Sequence, residues 1–587
     1  MNSVLELDPL SAHCAFADAL RGADMIARTL CEIGVSTVFC YPGGANLEML
    51  DALSRVDIAL IRTEHEQGAV FAAQGYARAT GRLGVCLATS GPGATNLVTG
   101  IADANSDSIP VLAITGNVAT HWLGKNAFQE VDIVAVTRPI TKQARQVRRF
   151  EEIGPALRDA AALALAGRPG PVLLDFPKDI QQMRSATDEP EPVRSAKPVA
   201  MALAPEQAGR IARLLKESRR PVIYAGGGIV ASGTSAQLVQ LAEQLQCPVA
   251  LTMMGLGAMP DGHALFLGPL GMHGAYCANV AVNEADVVLA LGVRFDDRVI
   301  GDPASFAQGA AIVHIDVDAA EIGKNKAVQI GAQADLRAAL PELSRLAQPL
   351  ETGPWLSYLR SVAAARPLKT AQHPGTLLSG PRAIAMLAER LPAEAVVATG
   401  VGQHQMWAMQ YLRARQARTF LSSAGFGTMG FGLPAALGAK AALPKVPVID
   451  IDGDGSLNMT INELSTCRRY GLGVKVFVVN NQWLGMVRQW QDMIYQGNRV
   501  LSALGDGERG AKPLGNAPYP DFLAIAAGYG VAAERVERAE DLPAALERML
   551  ADPNQPYLLD VMVAREDNVF PMIPAGKSYR DVIFAPV

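Results

Sequence analysis

Two polar side chains, Asp454 and Asn481, could together bind one metal ion. A carboxylate oxygen and an amide oxygen are hard ligands that suit Mg²⁺, which leaves its other coordination positions to water and phosphate groups. Asp454 stands between Gly453 and Gly455, and glycine allows the backbone to approach a diphosphate closely. The pair therefore predicts a magnesium and diphosphate site, provided that the fold brings the two residues together.

The segments around this pair have the pattern of a strand, a helix and a second strand. Residues 446–452 and 474–479 are apolar and predict buried strands, and residues 461–470 predict the helix between them. Such a unit is almost always right-handed with parallel strands, so both strands end at the same edge of the sheet. We therefore expect Asp454 and Asn481 to be neighbours; two unrelated turns are the alternative.

Length and composition predict a large globular protein. The 587 residues correspond to about four domains, or about three larger ones. Hydrophobic residues make up 49% and charged residues 19%, and a net charge of -5 gives no basic surface for nucleic acid. The sequence has no apolar run long enough to cross a membrane, and its start lacks a signal-peptide pattern, so we expect a cytoplasmic protein. The seven cysteines include no Cys-x-x-Cys pair, which argues against structural zinc.

The order of helix and strand patterns predicts an α/β protein with three doubly wound parallel-sheet domains. We place the domains at residues 1–185, 206–365 and 382–587, with linkers at 186–205 and 366–381. The first and third domains share an outline, in which a Gly/Ala-rich helix follows a glycine turn. This likeness favours an old duplication.

Glu64 is a candidate catalytic acid because it follows the predicted strand at residues 58–62. Open parallel sheets bind ligands at the carboxyl ends of their strands. The alternative is that Glu64 only interacts with the dipole of the helix that starts after it. Lys178 follows another predicted strand and is either a ligand contact or an ordinary solvated lysine. Phe128 and Gln129 form a pocket wall or, as the segment alone favours, a core residue with a cap.

Two glycine-rich turns give weaker signals. Residues 90–96 have the composition of a phosphate loop at a helix start. Residues 226–228 are glycines after a predicted strand, but they lack the G-x-G-x-x-G spacing of dinucleotide-binding proteins. The alternative for residues 90–96 is ordinary turn chemistry. By themselves the two turns support only a nucleotide-binding regulatory protein without catalysis, which is one alternative function.

Ten motifs, in order along nearly the whole chain, resemble one family: the FAD-containing biosynthetic acetohydroxyacid synthases, also called acetolactate synthases, which use thiamine diphosphate. The motifs are TEHEQGA, SGPGATN, AFQE, GRPGPV with PKD, LGMHG, RFDDR, GQHQMW, GTMGFGLPAA, GDGS with NN, and GMVRQW. The resemblance implies a pyrimidine-binding first domain, a central FAD-associated domain, and a diphosphate-binding third domain with a C-terminal lid.

The resemblance also implies three cofactors, thiamine diphosphate, Mg²⁺ and FAD. Glu64 matches the glutamate that hydrogen-bonds the pyrimidine ring, Met429 the apolar residue that keeps the cofactor bent, and Gly427 the carbonyl that accepts from its exocyclic amine. The implied metal ligands are Asp454, Asn481 and the main-chain carbonyl of Trp483. The other residues matched to thiamine diphosphate are Pro42, Gly43, Gln403, His404, Gly453, Gly455, Ser456, Met486 and Val487.

In the reaction that the resemblance implies, pyruvate loses CO₂ and its remaining two-carbon unit condenses with a second 2-ketoacid. The products are 2-acetolactate or 2-aceto-2-hydroxybutyrate, in branched-chain amino acid biosynthesis. Arg294 matches the residue that holds the acceptor carboxylate, and Trp490 the aromatic residue that favours the larger acceptor. Expected around the substrates are Phe128, Gln129, Lys178, Met272, Met486 and Val487. Expected around FAD, whose role is structural, are Arg168, Met272, His273, Gly274, Gly292, Arg294, Arg298, Asp316 and Asp335.

The family builds each site from the first domain of one subunit and the third domain of another. The resemblance therefore implies a homodimer or homotetramer with the active site between subunits, and it leaves open a small regulatory subunit. Its substrates are small 2-ketoacids, with no nucleic acid or membrane as partner. A second alternative keeps the fold but changes the reaction to that of a pyruvate oxidase or a 2-ketoacid decarboxylase; Arg294 and Trp490 argue against it. We also expect residues 497–519, part of the lid, to be a disordered loop in the free enzyme.

Overall fold

The computed structural model describes residues 20–185, 200–370, 377–505 and 520–585. The predicted fold class is confirmed, because these residues form three six-stranded sheets in which all neighbouring strands are parallel. No helix in the described part of the chain is long and apolar enough to cross a membrane.

Residues 20–185 contain the first sheet, in the spatial order β3-β2-β4-β5-β7-β6, and an antiparallel pair, β1 with β8. The strands are β1 (Leu20–Arg21), β2 (Thr37–Cys40), β3 (Ala59–Arg62), β4 (Gly84–Ala88), β5 (Val111–Asn117), β6 (Gln143–Gln146), β7 (Val172–Pro177) and β8 (Arg184–Ser185). The helices are α1 (Gly22–Glu32), α2 (Leu47–Leu53), α3 (Glu66–Thr80), α4 (Pro92–Thr95), α5 (Val98–Ser106), α6 (Ile133–Thr137), α7 (Ile153–Leu165) and α8 (Lys178–Gln182).

Residues 200–370 contain the central sheet, in the order β11-β10-β9-β12-β13-β14. Its strands are β9 (Pro221–Ala225), β10 (Val249–Leu251), β11 (Phe266–Pro269), β12 (Val287–Leu291), β13 (Ala311–Asp316) and β14 (Ile330–Gln333). The helices are α9 (Pro205–Glu217), α10 (Gly227–Ser232), α11 (Ser235–Leu245), α12 (Tyr276–Glu284), α13 (Asp297–Ile300), α14 (Leu336–Leu346) and α15 (Gly353–Ala365).

The described residues after 377 contain the third sheet, in the order β16-β15-β17-β18-β20-β19. Its strands are β15 (Val396–Thr399), β16 (Phe420–Ser422), β17 (Val448–Gly453), β18 (Val474–Asn480), β19 (Ala532–Val536) and β20 (Tyr557–Met562). The helices are α16 (Gly380–Ala388), α17 (Gln403–Tyr411), α18 (Gly432–Ala442), α19 (Asp454–Leu457), α20 (Glu463–Arg469), α21 (Gly485–Ile494), α22 (Phe522–Gly528) and α23 (Leu542–Leu550).

The first and third sheets have the same topology. If the six strands of each sheet are counted from its own first strand, both have the order 2-1-3-4-6-5, whereas the central sheet has the order 3-2-1-4-5-6 of dinucleotide-binding folds. The shared outline that the sequence indicated for the first and third domains is therefore present in their strand order.

Helices α3 and α18 join the first and third sheets into one core. A Cβ atom at Gly75 of α3 would overlap the carbonyl oxygen of Ala435, and one at Gly438 of α18 would overlap that of Ala72. The two backbones are therefore in contact, and the helices run antiparallel, because the later residue of one faces the earlier residue of the other. Apolar side chains from both domains form one buried cluster around this crossing.

The segments predicted as linkers overlap two helices by one or two residues. Helix α9 begins at Pro205, inside the predicted linker 186–205, and α16 begins at Gly380, inside 366–381. In both helices a proline lies in the first turn. Proline has no main-chain N–H, but at this position the N–H would have no partner within the helix, so no helical hydrogen bond is lost. Residues 186–199 and 371–376 lie outside the described residues, and the domain boundaries themselves stay a prediction.

The prediction of a disordered loop at residues 497–519 is wrong for residues 497–505, which the structure describes. Trp483 and Ala503 form an antiparallel bridge, with hydrogen bonds from Leu484 N to Ser502 O at 2.7 Å and from Leu504 N to Gln482 O at 3.0 Å. The loop that follows β18 thus provides backbone partners that the apolar pattern did not reveal. Residues 506–519 lie outside the described residues.

Substitution of Gly438 by Ala should separate α3 from α18 and lower the free energy of unfolding by about 3 kcal/mol, the usual scale of overpacking. The matched control is Gly528→Ala, because Gly528 is also a helical glycine but has no atom within 4 Å of the position of a Cβ. Thermal unfolding of both variants checks this. An unchanged midpoint for Gly438→Ala would contradict the close crossing.

Candidate functional site

A cavity of about 790 Å³ opens at the carboxyl ends of strands from the central and third sheets. Its wall includes residues that follow β9, β12, β15, β17 and β18, together with the ends of α3 and α5 from the first domain. Ligands of open parallel sheets bind at such edges. The cavity is therefore placed where all three parts of the chain contribute side chains.

The two predicted metal ligands lie side by side in this cavity. Strands β17 and β18 pair in parallel with Gly453 opposite Val479, so Asp454 and Asn481 leave the sheet at the same edge. The Asp454 carboxylate accepts from the main-chain N–H of Gln482 at 2.6 Å, which joins the two loops directly. Burial raises the pKa of Asp454 to about 7.

The amide of Asn481 is fixed by its neighbours. Its Nδ2 donates to Gln403 Oε1 at 3.2 Å, and its Oδ1 accepts from Trp483 N at 3.0 Å. Gln403 itself donates to Gln489 Oε1 at 3.0 Å. The oxygens of Asp454 and Asn481 therefore keep defined directions at the cavity wall.

A buried network holds the turn that carries Gly427 and Met429. Asp103 of α5 accepts from the hydroxyls of Ser423 and Thr428, the latter at 2.8 Å. Asp107 accepts from the main-chain N–H groups of Ala424 at 3.0 Å and Gly425 at 2.8 Å. Arg78 of α3 pairs with Asp107 at 2.9 Å and with Asp103 at 3.5 Å. The first domain thus fixes a turn of the third domain.

Helix α21 presents Met486, Val487 and Trp490 to the cavity. Its opposite face is held by two buried side chains: Arg488 donates to Asp567 O at 2.7 Å, and Gln489 donates to Val569 O at 3.2 Å. The helix therefore has one orientation, in which an apolar and aromatic face borders the cavity.

The central domain forms the other half of the cavity. Gly228 and Gly292 approach so closely that a Cβ at either position would lie 2.6 Å from the Cα of the other. Arg168, from the first domain, pairs with Glu321 at 2.6 Å and with Asp318 at 3.3 Å. Asp316 ends β13, and burial raises the pKa of its carboxyl to about 6. Main chain, arginines and carboxylates line this half together.

The donor sets of the two halves fit the expected cofactors. Asp454 and Asn481 offer oxygen ligands only, which suits Mg²⁺, and in the described residues no group of three His, Cys, Asp or Glu side chains offers another metal site. The glycine-lined half has room for an extended nucleotide, with arginines for its phosphates and Asp316 for a ribose hydroxyl. Asp335 also lines this half, but its carboxylate already accepts from Arg337 Nε at 3.0 Å.

Most of the sequence-predicted residues line this one cavity. The exceptions from the first domain lie at the carboxyl edge of the first sheet, after β2, β3, β5 and β7, and they are Pro42, Gly43, Glu64, Phe128, Gln129 and Lys178. Gly274 also lies outside the cavity wall, because it is buried in a turn against the carbonyl oxygen of Pro269.

Two first-domain predictions can be compared directly with the structure. The side chain of Phe128 is 86% exposed, so the interpretation of Phe128 as a core residue is wrong. Gln129 has a left-handed backbone, with φ of 59°, and packs against Gly91. Lys178 begins α8 and is half-buried, so it is not a fully solvated lysine. The loops at this edge therefore expose an apolar side chain beside polar ones.

Sequence reasoning did not find the residues that position the site. Asp103 lies on α5 and Asp107 caps its C-terminal end four residues later, a spacing that also occurs on solvated helix faces. The only signal was that the rest of this helix is rich in small and apolar residues. Arg78 carries no signal, because its burial depends on the packing of the third domain against α3.

Comparisons with known proteins find similar sequences over most of the chain. Three family models match: the N-terminal TPP binding domain of thiamine pyrophosphate enzymes over residues 20–136, their central domain over 208–343, and their C-terminal TPP binding domain over 400–561. The chain is 47% identical over 575 residues to acetolactate synthase 3, chloroplastic, of Brassica napus, and the aligned region covers 96% of this chain and 86% of the relative. It is 47% identical over 578 residues to acetolactate synthase 1, chloroplastic, of Zea mays, covering 96% and 89%. It is 48% identical over 581 residues to acetolactate synthase 1, chloroplastic, of Oryza sativa subsp. japonica, covering 97% and 88%.

His273, at the cavity wall, makes stability depend on pH. Burial lowers its pKa from 6.5 to about 4. Between these values the unfolded chain binds a proton at this position and the folded chain does not, so a fall in pH through this window removes up to about 3 kcal/mol. Thermal unfolding at pH 7 and pH 4.5 should show that the lower pH reduces the stability of His273→Gln less than that of the wild type. His121→Gln, at an exposed histidine, is the control; equal losses for all three proteins would contradict the prediction.

Proposed function

The chain belongs to the acetolactate synthases, a family of thiamine pyrophosphate enzymes, and on that premise we propose that its cavity is half of an active site that a second copy of the chain completes. The protein condenses pyruvate, after loss of CO₂, with a second 2-ketoacid in branched-chain amino acid biosynthesis. Its cofactors are thiamine diphosphate, Mg²⁺ and FAD. The alternative of a regulatory protein without catalysis is therefore wrong.

Thiamine diphosphate, when bound, supplies the carbon nucleophile and accepts the electron pair that decarboxylation releases. The chain's own residues hold and orient its two ends. Asp454 and Asn481, with the carbonyl of Trp483, would hold the Mg²⁺ that neutralises the diphosphate. Met429 and Gly427, on the turn fixed by Asp103 and Asp107, would support the middle of the cofactor.

Arg294 would bind the carboxylate of the second ketoacid. Its Nη1 donates to the Ser106 carbonyl at the end of α5, at 2.5 Å, which fixes the guanidinium at the cavity wall. A fixed planar fork suits a carboxylate, because little side-chain freedom remains to be lost on binding. Val487 and Trp490 of α21 border the same cavity and would contact the alkyl group of the acceptor.

The position of Glu64 carries the proposal of a site between two chains. Glu64 precedes α3, whereas Arg78, at the other end of α3, contacts the network that holds the turn of Gly427. These ends are about 20 Å apart at 1.5 Å per residue. Glu64 does not line the cavity of its own chain. These two observations support the proposal that Glu64 serves the pyrimidine ring of a cofactor held by another copy.

The exposed first-domain residues fit such an arrangement. Phe128, at the same sheet edge as Glu64, is 86% exposed, and aromatic side chains are enriched at contacts between chains. A homodimer is the smallest assembly that completes the site, and a homotetramer would contain two such pairs. A small regulatory subunit remains part of the proposal.

The cytoplasmic location also stays a prediction, since the names of the relatives place those proteins in chloroplasts.

Glu64→Gln and Asp454→Asn should each abolish most of the activity, and a mixture of the two variants should recover part of it. In a mixed dimer, one site combines Glu64 of one chain with Asp454 of the other and is complete. Random association makes about half of the dimers mixed, so about a quarter of the wild-type activity should return. Acetolactate formation by co-expressed, co-purified chains measures this.

The matched control for that experiment is a mixture of Glu64→Gln with Glu64→Ala, in which no complete site can form. Failure of the first mixture to exceed this control, with dimers present, would place Glu64 and Asp454 of one chain in one site. Single variants that keep near-normal rates would instead remove the roles given to Glu64 and Asp454.

Arg294→Gln should weaken the binding of the acceptor. Loss of a charged hydrogen bond should raise the KM for the second ketoacid by about 10-fold to 100-fold and direct more pyruvate to acetaldehyde. Product analysis with pyruvate and 2-ketobutyrate in competition measures both effects. Arg360→Gln, at an exposed arginine on α15, is the control. Unchanged KM and products for Arg294→Gln would favour a decarboxylase-like site without an acceptor subsite.

A further inference from the structure

Helix α20 holds Glu64 by three side chains, although the two belong to different domains. Both carboxylate oxygens of Glu463 accept from the main-chain N–H of Glu64, at 3.1 and 3.2 Å. Ser465 Oγ donates to Glu64 Oε1 at 2.9 Å, and Arg469 Nη2 donates to the same oxygen at 2.9 Å. The main chain and the carboxylate of Glu64 are thus both held from one short helix.

The contact with Glu463 is closely built. Glu463 is fully buried, and its Oε2 accepts from Thr466 Oγ1 at 2.6 Å. Its Oε1 lies so close to Gly68 in the first turn of α3 that a Cβ there would overlap it. A buried carboxylate without hydrogen bonds would be costly. Here both carboxylate oxygens of Glu463 accept hydrogen bonds from the turn that carries Glu64.

Within the described residues of the first domain, Glu64 has Arg62 as a further side-chain partner. Arg62, at the end of β3, donates to Glu64 Oε1 at 3.1 Å. Both Arg62 and Arg469 are more than one-third exposed along their side chains, so each pair by itself is weak. The direction of the carboxylate depends on Arg62, Ser465 and Arg469 acting together.

We propose that Glu463, Ser465 and Arg469 are positioning residues for Glu64, which they hold in the orientation in which it meets the cofactor of the second copy. The inference rests on the function proposed above for Glu64. Since α20 connects β17 to β18, the same strand-helix-strand unit that ends in Asp454 and Asn481 also sets the direction of Glu64. One unit of the third domain therefore orients groups that belong to two different sites.

The test compares Glu463→Gln and Arg469→Gln, each alone and combined with Glu64→Gln, in the holoenzyme. Glu463→Gln puts a donor where one acceptor oxygen faces the Glu64 N–H, and Arg469→Gln removes the charge beside the carboxylate. Misplacement of a catalytic group by about 1 Å can cost about 100-fold, so we expect kcat to fall by about 10-fold to 100-fold in each variant. The KM for pyruvate and the affinity for thiamine diphosphate should change less than about twofold.

Arg468→Gln is the matched control, because Arg468 is the exposed neighbour of Arg469 on the same helix. It should behave as the wild type, and Arg469→Lys, which keeps the charge, should recover most of the lost rate. In the Glu64→Gln background, Glu463→Gln and Arg469→Gln should cause almost no further loss, because both act through Glu64. A purely structural role would lower the rate equally in both backgrounds.

The outcomes separate this inference from the proposed function. Near-normal rates for Glu64→Gln itself would remove the function of Glu64 and the inference with it. A slow Glu64→Gln together with normal rates for Glu463→Gln and Arg469→Gln would overturn the inference alone. A faster Arg469→Gln would also overturn it, since Arg469 would then be restraining Glu64 rather than positioning it.

Discussion

The backbone contact between α3 and α18 is the constraint on which the rest of the structure depends. Gly75 and Gly438 are the residues that permit it, because any side chain at either position would overlap a carbonyl oxygen of the other helix. Such close packing opposes a shift of the first domain against the third. Every site residue of these two domains is therefore placed with respect to this crossing.

Each of the two domains holds a functional segment of the other. From the first domain, Asp103 and Asp107 hold the turn of Gly427. From the third, α20 holds Glu64. Because α3 and α18 are antiparallel, these two contacts lie at opposite ends of the crossing. The two contacts are therefore about 20 Å apart along α3, and this separation supports the proposal that a second copy of the chain completes the site.

The sequence predicted the parts of the site that depend on local rules. Asp454 and Asn481 are neighbours because a right-handed strand-helix-strand unit gives both strand ends to one edge. Other features depend on packing between distant segments and were not predictable. Glu463 looks like an ordinary charged helix residue and is buried only because α20 meets the start of α3. Phe128 looks like a core residue, yet its loop turns it outward.

The buried ion network of Arg78, Asp103 and Asp107 fixes the position of the 423–428 turn. This role explains the network better than a contribution to the free energy of unfolding does. Taking charges out of water costs several kcal/mol for each ion, and an apolar replacement of similar shape is often at least as stable. One arginine faces two carboxylates here, and burial raises the pKa of Asp103. The four hydrogen bonds from the 423–428 turn to these carboxylates offset part of that cost. An apolar core could not fix the turn in this way, because its main-chain N–H groups and hydroxyls would then have no acceptors.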